Sequence, residues 1–327
     1  GKAIKVEVSY TDDEGTAESV TSSATAAVAN VDDEATGALE ISGTVEEGAE
    51  LTASISNLAD EDGDVTGTTY QWEISDNGTS GWTSIDGETS ASYTVASDQT
   101  QVDKYIRVTA ETTDALGGTT TFTSESQQVA NVNDDPTGSV TISGTATEDE
   151  VLTAVTTTLA DEDGLGTLSY QWYADDTAIT GATESTYTLT QAEVGKAIKV
   201  EVSYTDDEGT AESVTSSATA AVANVDDEAT GALEISGTVE EGAELTASIS
   251  NLADEDGDVT GTTYQWEISD NGTSGWTSID GETSASYTVA SDQTQVDKYI
   301  RVTAETTDAL GGTTTFTSES QQVANVN

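Results

Sequence analysis

Repetition restricts this chain more than any other feature. Residues 1–133 recur unchanged as residues 195–327. A weaker period lies inside the long one. The stretch from Asn30, NVDDEATGALEISGTVEEGAELTA, aligns with the stretch from Asn131, NVNDDPTGSVTISGTATEDEVLTA, and the match continues through LADEDG to YQW. Two related modules therefore alternate, a longer type A and a shorter type B. The marker residues Asn30, Asn131 and Asn224 divide the chain into a type A module at 30–130, a type B module at 131–223 and a second type A module at 224–327. Residues 1–29 correspond to the last strands of a truncated type B module. So short a stretch cannot bury a core of its own. It is expected to be a slice of a longer array; strands borrowed from a neighbouring chain are the alternative.

Composition narrows the chemistry. The chain carries 62 Asp and Glu against 8 Lys and Arg, a formal charge of −54, with no His, Cys or Met. Without Cys there is no disulfide framework, thiolate nucleophile or sulfur-bound metal. Without His, the usual general base and the commonest zinc ligand are missing. So few cations cannot neutralise a run of phosphates, which excludes nucleic acid as a partner. No apolar stretch approaches the ~20 residues of a membrane helix, and no signal-peptide core is visible, so no membrane insertion by this segment is expected. A hydrophobic share of 34% at this charge borders on the disordered class. The order of the residues argues against disorder.

Type A breaks into short runs: GALEISGTV, AELTASISNL, TTYQWEIS, GWTSI, ASYTVA, KYIRVTAET and TTTFTSESQQVA. They are rich in Val, Ile, Thr and Tyr and alternate apolar with polar, the period of a half-buried strand. Gly, Asp, Asn and Ser cluster between them, where turns need them. About seven short strands in about 100 residues, with a Trp on the third, is the immunoglobulin-like layout. The expected fold class is all-β: tandem immunoglobulin-like antiparallel β-sandwich modules in a linear array. Trp72, Trp172 and Trp266 occupy the YQW positions. With no cystine between the sheets, each core must rest on apolar packing.

The basic residues, Lys2, Lys5, Lys104, Arg107, Lys196, Lys199, Lys298 and Arg301, fall at matching places in every copy of the sixth strand. They suit cross-strand pairing with carboxylates; a lateral contact between copies of the chain is the alternative. Trp82 and Trp276, in GWTSI, occur only in type A. On an edge strand such a Trp could stack on a sugar of a surface polysaccharide, or cover the end of its own core. The NGT segments at Asn77 and Asn271 match a glycosylation sequon, but Asn-Gly also marks a turn.

The acids concentrate in three places. In type A these are NVDDE (Asp32, Asp33, Glu34), DEDGD (Asp60 to Asp64) and TTD (Asp114). In type B they are Asp134 with Asp135, Asp161 to Asp163, and TDDEG (Asp206, Asp207, Glu208). In an immunoglobulin-like sandwich the linker, the second-to-third loop and the sixth-to-seventh loop all lie at one pole. Three acidic segments should therefore meet at each inlet. Such a cluster repels itself unless a cation neutralises it. Donors that are all oxygen suit calcium better than zinc or copper. A set of solvated acidic loops adapted to high salt is the alternative. The DEDG segments are not EF-hands, which need spaced acids and a closing Glu.

The linker NVNDDP, followed by a DED loop and a TDD loop, resembles the calcium-binding junctions of cadherin-like repeats. The whole module resembles the tandem immunoglobulin-like repeats of giant bacterial surface proteins and adhesins of the RTX type. That resemblance implies Ca2+ on Asp134, Asp135, Asp161, Asp163 and Asp206 in type B. In type A it implies Asp33, Asp60, Asp62 and Asp114, with Asp227, Asp254, Asp256 and Asp308 in the second copy. The acidic segment that cadherins carry before the sixth strand has no match beyond Asp103 and Glu193. The function implied is a non-catalytic extracellular stalk on a bacterial cell surface, stiffened by calcium. A polysaccharide-binding array and a multi-chain filament are the competing functions. Enzyme activity is not expected, because the acid pairs recur in every module and no His is present for a triad.

Overall fold

The computed structural model describes residues 1–326. It divides into two compact units, residues 1–135 with 162–164, and residues 136–161 with those from 165 onward. Among the described residues no helix is long and apolar enough to cross a membrane.

The first unit opens with a hairpin, β1 (Glu7–Thr11) and β2 (Ala17–Thr21). A sandwich follows, built from β3 (Thr36–Ser42), β4 (Glu50–Ala59), β5 (Gly67–Ser75), β6 (Thr83–Ser84), β7 (Ser92–Thr94), β8 (Tyr105–Thr113), β9 (Thr119–Thr123) and β10 (Gln127–Gln128). One sheet has the order β3-β4-β7; the other runs β10-β8-β5-β6, with β9 also paired to β8. Every ladder is antiparallel. Alternation dictates the inner face: along β8, Ile106, Val108, Ala110 and Thr112 are buried, while Arg107 and Thr109 face outward.

The second unit holds two sandwiches. The first has β11 (Thr141–Ser143), β12 (Val151–Val155), β13 (Ser169–Ala174), β14 (Thr177–Ala178), β15 (Thr186–Thr188), β16 (Ile198–Thr205) and β17 (Ala211–Thr215), in sheets β11-β12-β15 and β14-β13-β16-β17. A single 3-10 turn, Gln191–Glu193, is closed by a capping box between Thr190 and Glu193. The next sandwich, from β18 (Thr230–Ser236) through β19 (Glu244–Ala253), β20 (Gly261–Ser269), β21 (Thr277–Ser278), β22 (Ser286–Thr288), β23 (Tyr299–Thr307) and β24 (Thr313–Thr317) to β25 (Gln321–Gln322), repeats the sheets of the first unit.

Each sandwich has its own core around a Trp with no exposed surface: Trp72, Trp172 and Trp266. The indole N–H needs a partner once buried. Trp72 Nε1 donates to Ser90 O at 3.0 Å, Trp172 to Glu184 O at 2.9 Å and Trp266 to Ser284 O at 2.9 Å. A Tyr ring packs beside each indole, with centroids 5.2 Å apart for Trp72 and Tyr93 and 6.1 Å for Trp172 and Tyr187. Each pair spans the two layers, Trp72 on β5 of one sheet and Tyr93 on β7 of the other.

The outer face of type A carries a stacked ion pair. Arg107 and Glu73 are directly opposite in the ladder, with Nε and Oε2 2.7 Å apart, and the guanidinium lies 4.3 Å over the Trp82 ring. Arg301, Glu267 and Trp276 repeat this. One face of each half-buried indole is thus occupied by its own sandwich. At Asn77, Oδ1 accepts the amides of Thr79 and Ser80, both at 2.9 Å, which makes Asn-Gly a turn. Gly78 follows at φ 70°, where a Cβ would lie 2.6 Å from the Tyr105 ring.

The hairpin β1–β2 is a natural control, because its sequence recurs inside a complete sandwich. Val8 pairs with Val20, and its copy Val202 pairs with Val214. Yet Val8 is 59% exposed and Val202 is 0% exposed. Register follows from the local pattern; burial comes from the other sheet.

Truncating a core Trp should cost about 3–5 kcal/mol. Trp172→Ala alters only the sandwich of β11–β17. In urea unfolding, that sandwich is expected to melt at lower denaturant while the transitions of the others stay in place.

Candidate metal centres

Among the described residues, four groups of three carboxylates converge, the ligand atoms of each lying within 4.8 Å of one another: Asp32, Asp62 and Asp114; Glu47, Asp134 and Asp163; Glu148, Asp227 and Asp256; and Asp226, Asp256 and Asp308. The first two lie in the first unit and the last two in the second.

Local turns aim these side chains. Asp114 sits after β8, and its Oδ1 accepts the amides of Leu116 (2.6 Å), Gly117 (2.7 Å) and Gly118 (3.1 Å). This leaves Oδ2, which is buried and has no hydrogen-bond partner. Asp308 repeats the arrangement with Leu310 and Gly311. In the DED loops, Asp60 Oδ1 accepts the Asp62 amide at 2.8 Å and Asp254 Oδ1 accepts the Asp256 amide at 3.0 Å. The second Asp of each loop then accepts the linker amide: Asp62 from Asp33, Asp163 from Asp134, and Asp256 from Asp227.

The glutamates arrive from the opposite pole. Glu47 and Glu148 lie in the turn after the first strand of their sandwiches, and parallel bridges pin that turn to the last residue before the linker, Glu46 to Ala130 and Thr147 to Ala223. Glu148 is 3% exposed, and its Oε2 accepts the Val225 amide at 3.2 Å. A glutamine reaches in beside each glutamate. Gln99 Nε2 donates to Asn131 Oδ1 (2.8 Å) and Asp163 Oδ1 (2.5 Å), and Gln191 Nε2 donates to Asp256 Oδ1 (3.1 Å).

Electrostatics mark the same groups. The Asp32 carboxyl is raised above its ordinary value by loss of water and then by the charges of Asp114 and Asp62. Asp226 is raised likewise, by desolvation and then Asp308 and Asp256. Burial and Asp134 raise Glu47. Burial also raises Glu148, against the Val225 amide and together with Asp227. Burial pushes Asp114 upward too, but the Leu116, Gly118 and Gly117 amides outweigh it, and its net shift is downward.

The donors fit a hard cation. All are oxygens, three carboxylates per group, and the chain contains neither His nor Cys. Asp114 Oδ2 and Asp134 Oδ2 are buried without a donor facing them, an arrangement costly unless a cation compensates it. A Cβ added at Gly118 would collide with Asp32 Oδ1 and Asp114 Oδ2, so glycine leaves the space in which these oxygens meet.

Of the residues expected from sequence, the groups include Asp62, Asp114, Asp134, Asp163, Asp227, Asp256 and Asp308. Asp33, Asp60, Asp135, Asp161, Asp206 and Asp254 stand outside them. Asp60 and Asp254 brace their loops, and Asp33 contributes its amide. Asp161 accepts the Tyr204 hydroxyl at 2.5 Å, and that hydrogen bond, after burial, raises the phenol. Asp206 accepts the Thr210 amide through Oδ1 at 2.7 Å, while its Oδ2 is buried without a partner. Asp135 is exposed on the linker. The structure adds Asp32, Asp226, Glu47 and Glu148. Asp32 and Asp226 were visible as the first acid of the NVDDE linker. The glutamates carried no signal of their own, because each sits in the turn after the first strand of its sandwich, far in sequence from the linker and loop acids.

No family model matches the chain, and no curated protein matches it. Among solved structures it is similar to a Ca2+-stabilized adhesin with which an Antarctic bacterium binds ice, at 17% identity over 98% of this chain and 81% of the other, TM-score 0.34. A 1.5-MDa bacterial ice-binding adhesin is similar at 15% identity over 91% and 100%, TM-score 0.29. A tetra-tandem repeat in the extending region of a large adhesion protein is similar at 19% identity over 98% and 81%, TM-score 0.30.

The raised carboxyls set a pH dependence for the metal-free protein. Asp32, Asp226, Glu47 and Glu148 hold their protons more tightly folded than unfolded, where the ordinary values are 3.8 for Asp and 4.5 for Glu. Their favourable contribution is complete below those values and is lost as pH rises through the raised ones. The lowered groups, Asp98, Asp114 and Asp292, lose theirs only as pH falls below 3.8, outside this window. With chelator present, the melting temperature should therefore rise as pH is lowered from neutral toward the ordinary glutamate value of 4.5. A fall over that range, by differential scanning calorimetry, contradicts the assignment.

Proposed function

We propose that this chain is a non-catalytic repeat segment of a bacterial cell-surface adhesin, a stalk whose junctions calcium stiffens. The modules of this reading are residues 30–130, 131–223 and 224–327, with 1–29 the end of another. The observation that carries it is the make-up of one group in the second unit. Glu148 comes from the outlet turn of one sandwich, Asp227 from the linker and Asp256 from a loop of the next sandwich. A single cation held by all three would tie two sandwiches and the chain between them.

The mechanism is electrostatic and mechanical. Without metal, three carboxylates repel one another and the amide contacts alone restrain the linker. With metal, the repulsion becomes attraction to a shared centre, and carboxylates with backbone oxygens and water complete the 6–8 ligands calcium takes. Asn224 Oδ1 and Gln191 Oε1, buried and without hydrogen-bond partners, support this reading as further oxygens for such a centre. Calcium also cuts the −54 charge that opposes compaction. The acids recur from module to module at the linkers, as a structural device requires and a single catalytic cleft does not.

Small-angle scattering of this chain in about millimolar calcium should show a longer, narrower distribution of distances than in chelator, at the affinity range of extracellular calcium modules. Superimposable curves, with equal melting temperatures, would remove calcium stiffening and leave the acidic-surface reading.

A further inference from the structure

The two kinds of linker differ at one residue that faces the carboxylate groups. Type A linkers carry two adjacent acids, Asp32–Asp33 and Asp226–Asp227, whereas the type B linker carries Asn133–Asp134. Successive residues of an extended linker point to opposite sides. In the second unit this places Asp226 and Asp227 in two different groups, and both groups use Asp256. Asp256 is 3% exposed; its Oδ2 accepts the Asp227 amide at 2.7 Å and its Oδ1 the Gln191 amide at 3.1 Å. A carboxylate has lone pairs enough to bridge two centres while keeping such contacts.

Both groups contain a further observation that points to a ligand. On the Glu148 side, Gln191 touches Asp256 and its own Oε1 is buried with no partner. On the Asp226 side, Asp308 is 4% exposed, and a Cβ at Gly312 would collide with Asp226 Oδ1 and Asp308 Oδ2. In the identical sequence of the first unit, the matching oxygen, Asp114 Oδ2, is buried and unpartnered. The Asp226 type of group occurs twice, with Asp32 and with Asp226. The type B linker cannot supply its third carboxylate, because Asn133 stands at that place.

We propose that the residue at 32, 133 and 226 decides whether its linker completes a tight calcium site with the loop acids: Asp32 and Asp226 each complete one, Asp226 sharing the bridging Asp256 with the Glu148 group, and Asn133 does not. This rests on the calcium reading above and adds to it an alternation of strong and weak junctions along the chain. As calcium rises, type A inlets fill and stiffen first, and the type B inlet keeps a site of lower affinity.

The test counts ions on the full 327-residue chain by calorimetric titration with calcium chloride after chelation, with circular dichroism to verify the strands. The four three-carboxylate groups correspond to four tight ions in the unsubstituted chain. Asp226→Asn should weaken one of them by about tenfold or more, since ligand charge sets calcium affinity. Asn133→Asp should add one tight ion. Asp226 and Asn133 are both exposed linker residues, and the two substitutions run in opposite directions. If either variant misfolds, the other still decides. Unchanged tight-site numbers in a folded variant would overturn this proposal while calcium binding itself stands. No calcium heat from the unsubstituted chain would overturn both this proposal and the stalk reading.

Discussion

Like charges brought within 4.8 Å of one another, three at a time, are the constraint that each unit of this protein has to accommodate. A chain with 62 acids could spread them over strand faces, where water screens them. Instead, Asp114, Asp163, Asp256 and Asp308 are each less than a twentieth exposed. Burial of an acid beside other acids opposes folding unless a proton or a cation compensates it. The raised Asp32, Glu47, Glu148 and Asp226 carboxyls are the protonic form of that compensation. Calcium is the form we propose at neutral pH.

Such repulsion can be sustained only on a rigid frame. The frame here is a pair of small sheets closed over a buried Trp, with the indole N–H satisfied by a backbone carbonyl and a Tyr ring alongside. Amide contacts then hold the acids in place. Three successive N–H groups hold Asp114, and the linker amide of Asp227 holds Asp256. These are donors the backbone must satisfy somewhere. Placing all three on Oδ1 of Asp114 leaves its Oδ2 turned to Asp32.

Much of this was legible in the residues, and the part that was not has a physical cause. Alternation and turn residues marked the strands, and the YQW positions marked the core. The linker, the DED loop and the loop after the sixth strand were expected at one pole, and Asp62, Asp114, Asp227, Asp256 and Asp308 do meet there with their linkers. Whether Asp32 or Asp33 faces the group depends on the direction of each linker residue, which composition does not reveal. Asp161 was indistinguishable from Asp163 in sequence, but Tyr204 engages it. Glu148 was illegible because a turn at the outlet pole meets the next inlet of the same unit only through the packing of chain around the linker, and Glu47 lies in the matching turn.

The hairpin of residues 7–21 and its copy at 201–215 separate the two kinds of information. Strand, turn and register are the same in both, Val8 with Val20 and Val202 with Val214, because pairing across a tight turn is local. The sequence alone also determined the excess of charge, the oxygen-only chemistry and the alternation of Asp with Asn in the linkers. Tertiary structure alone decided which apolar faces are covered, as the 59% exposure of Val8 against 0% for Val202 makes plain. It likewise decided which acids converge, because each carboxylate group is assembled from segments distant in sequence. Distances between such segments are set by sheets packing on one another, and no local pattern carries them.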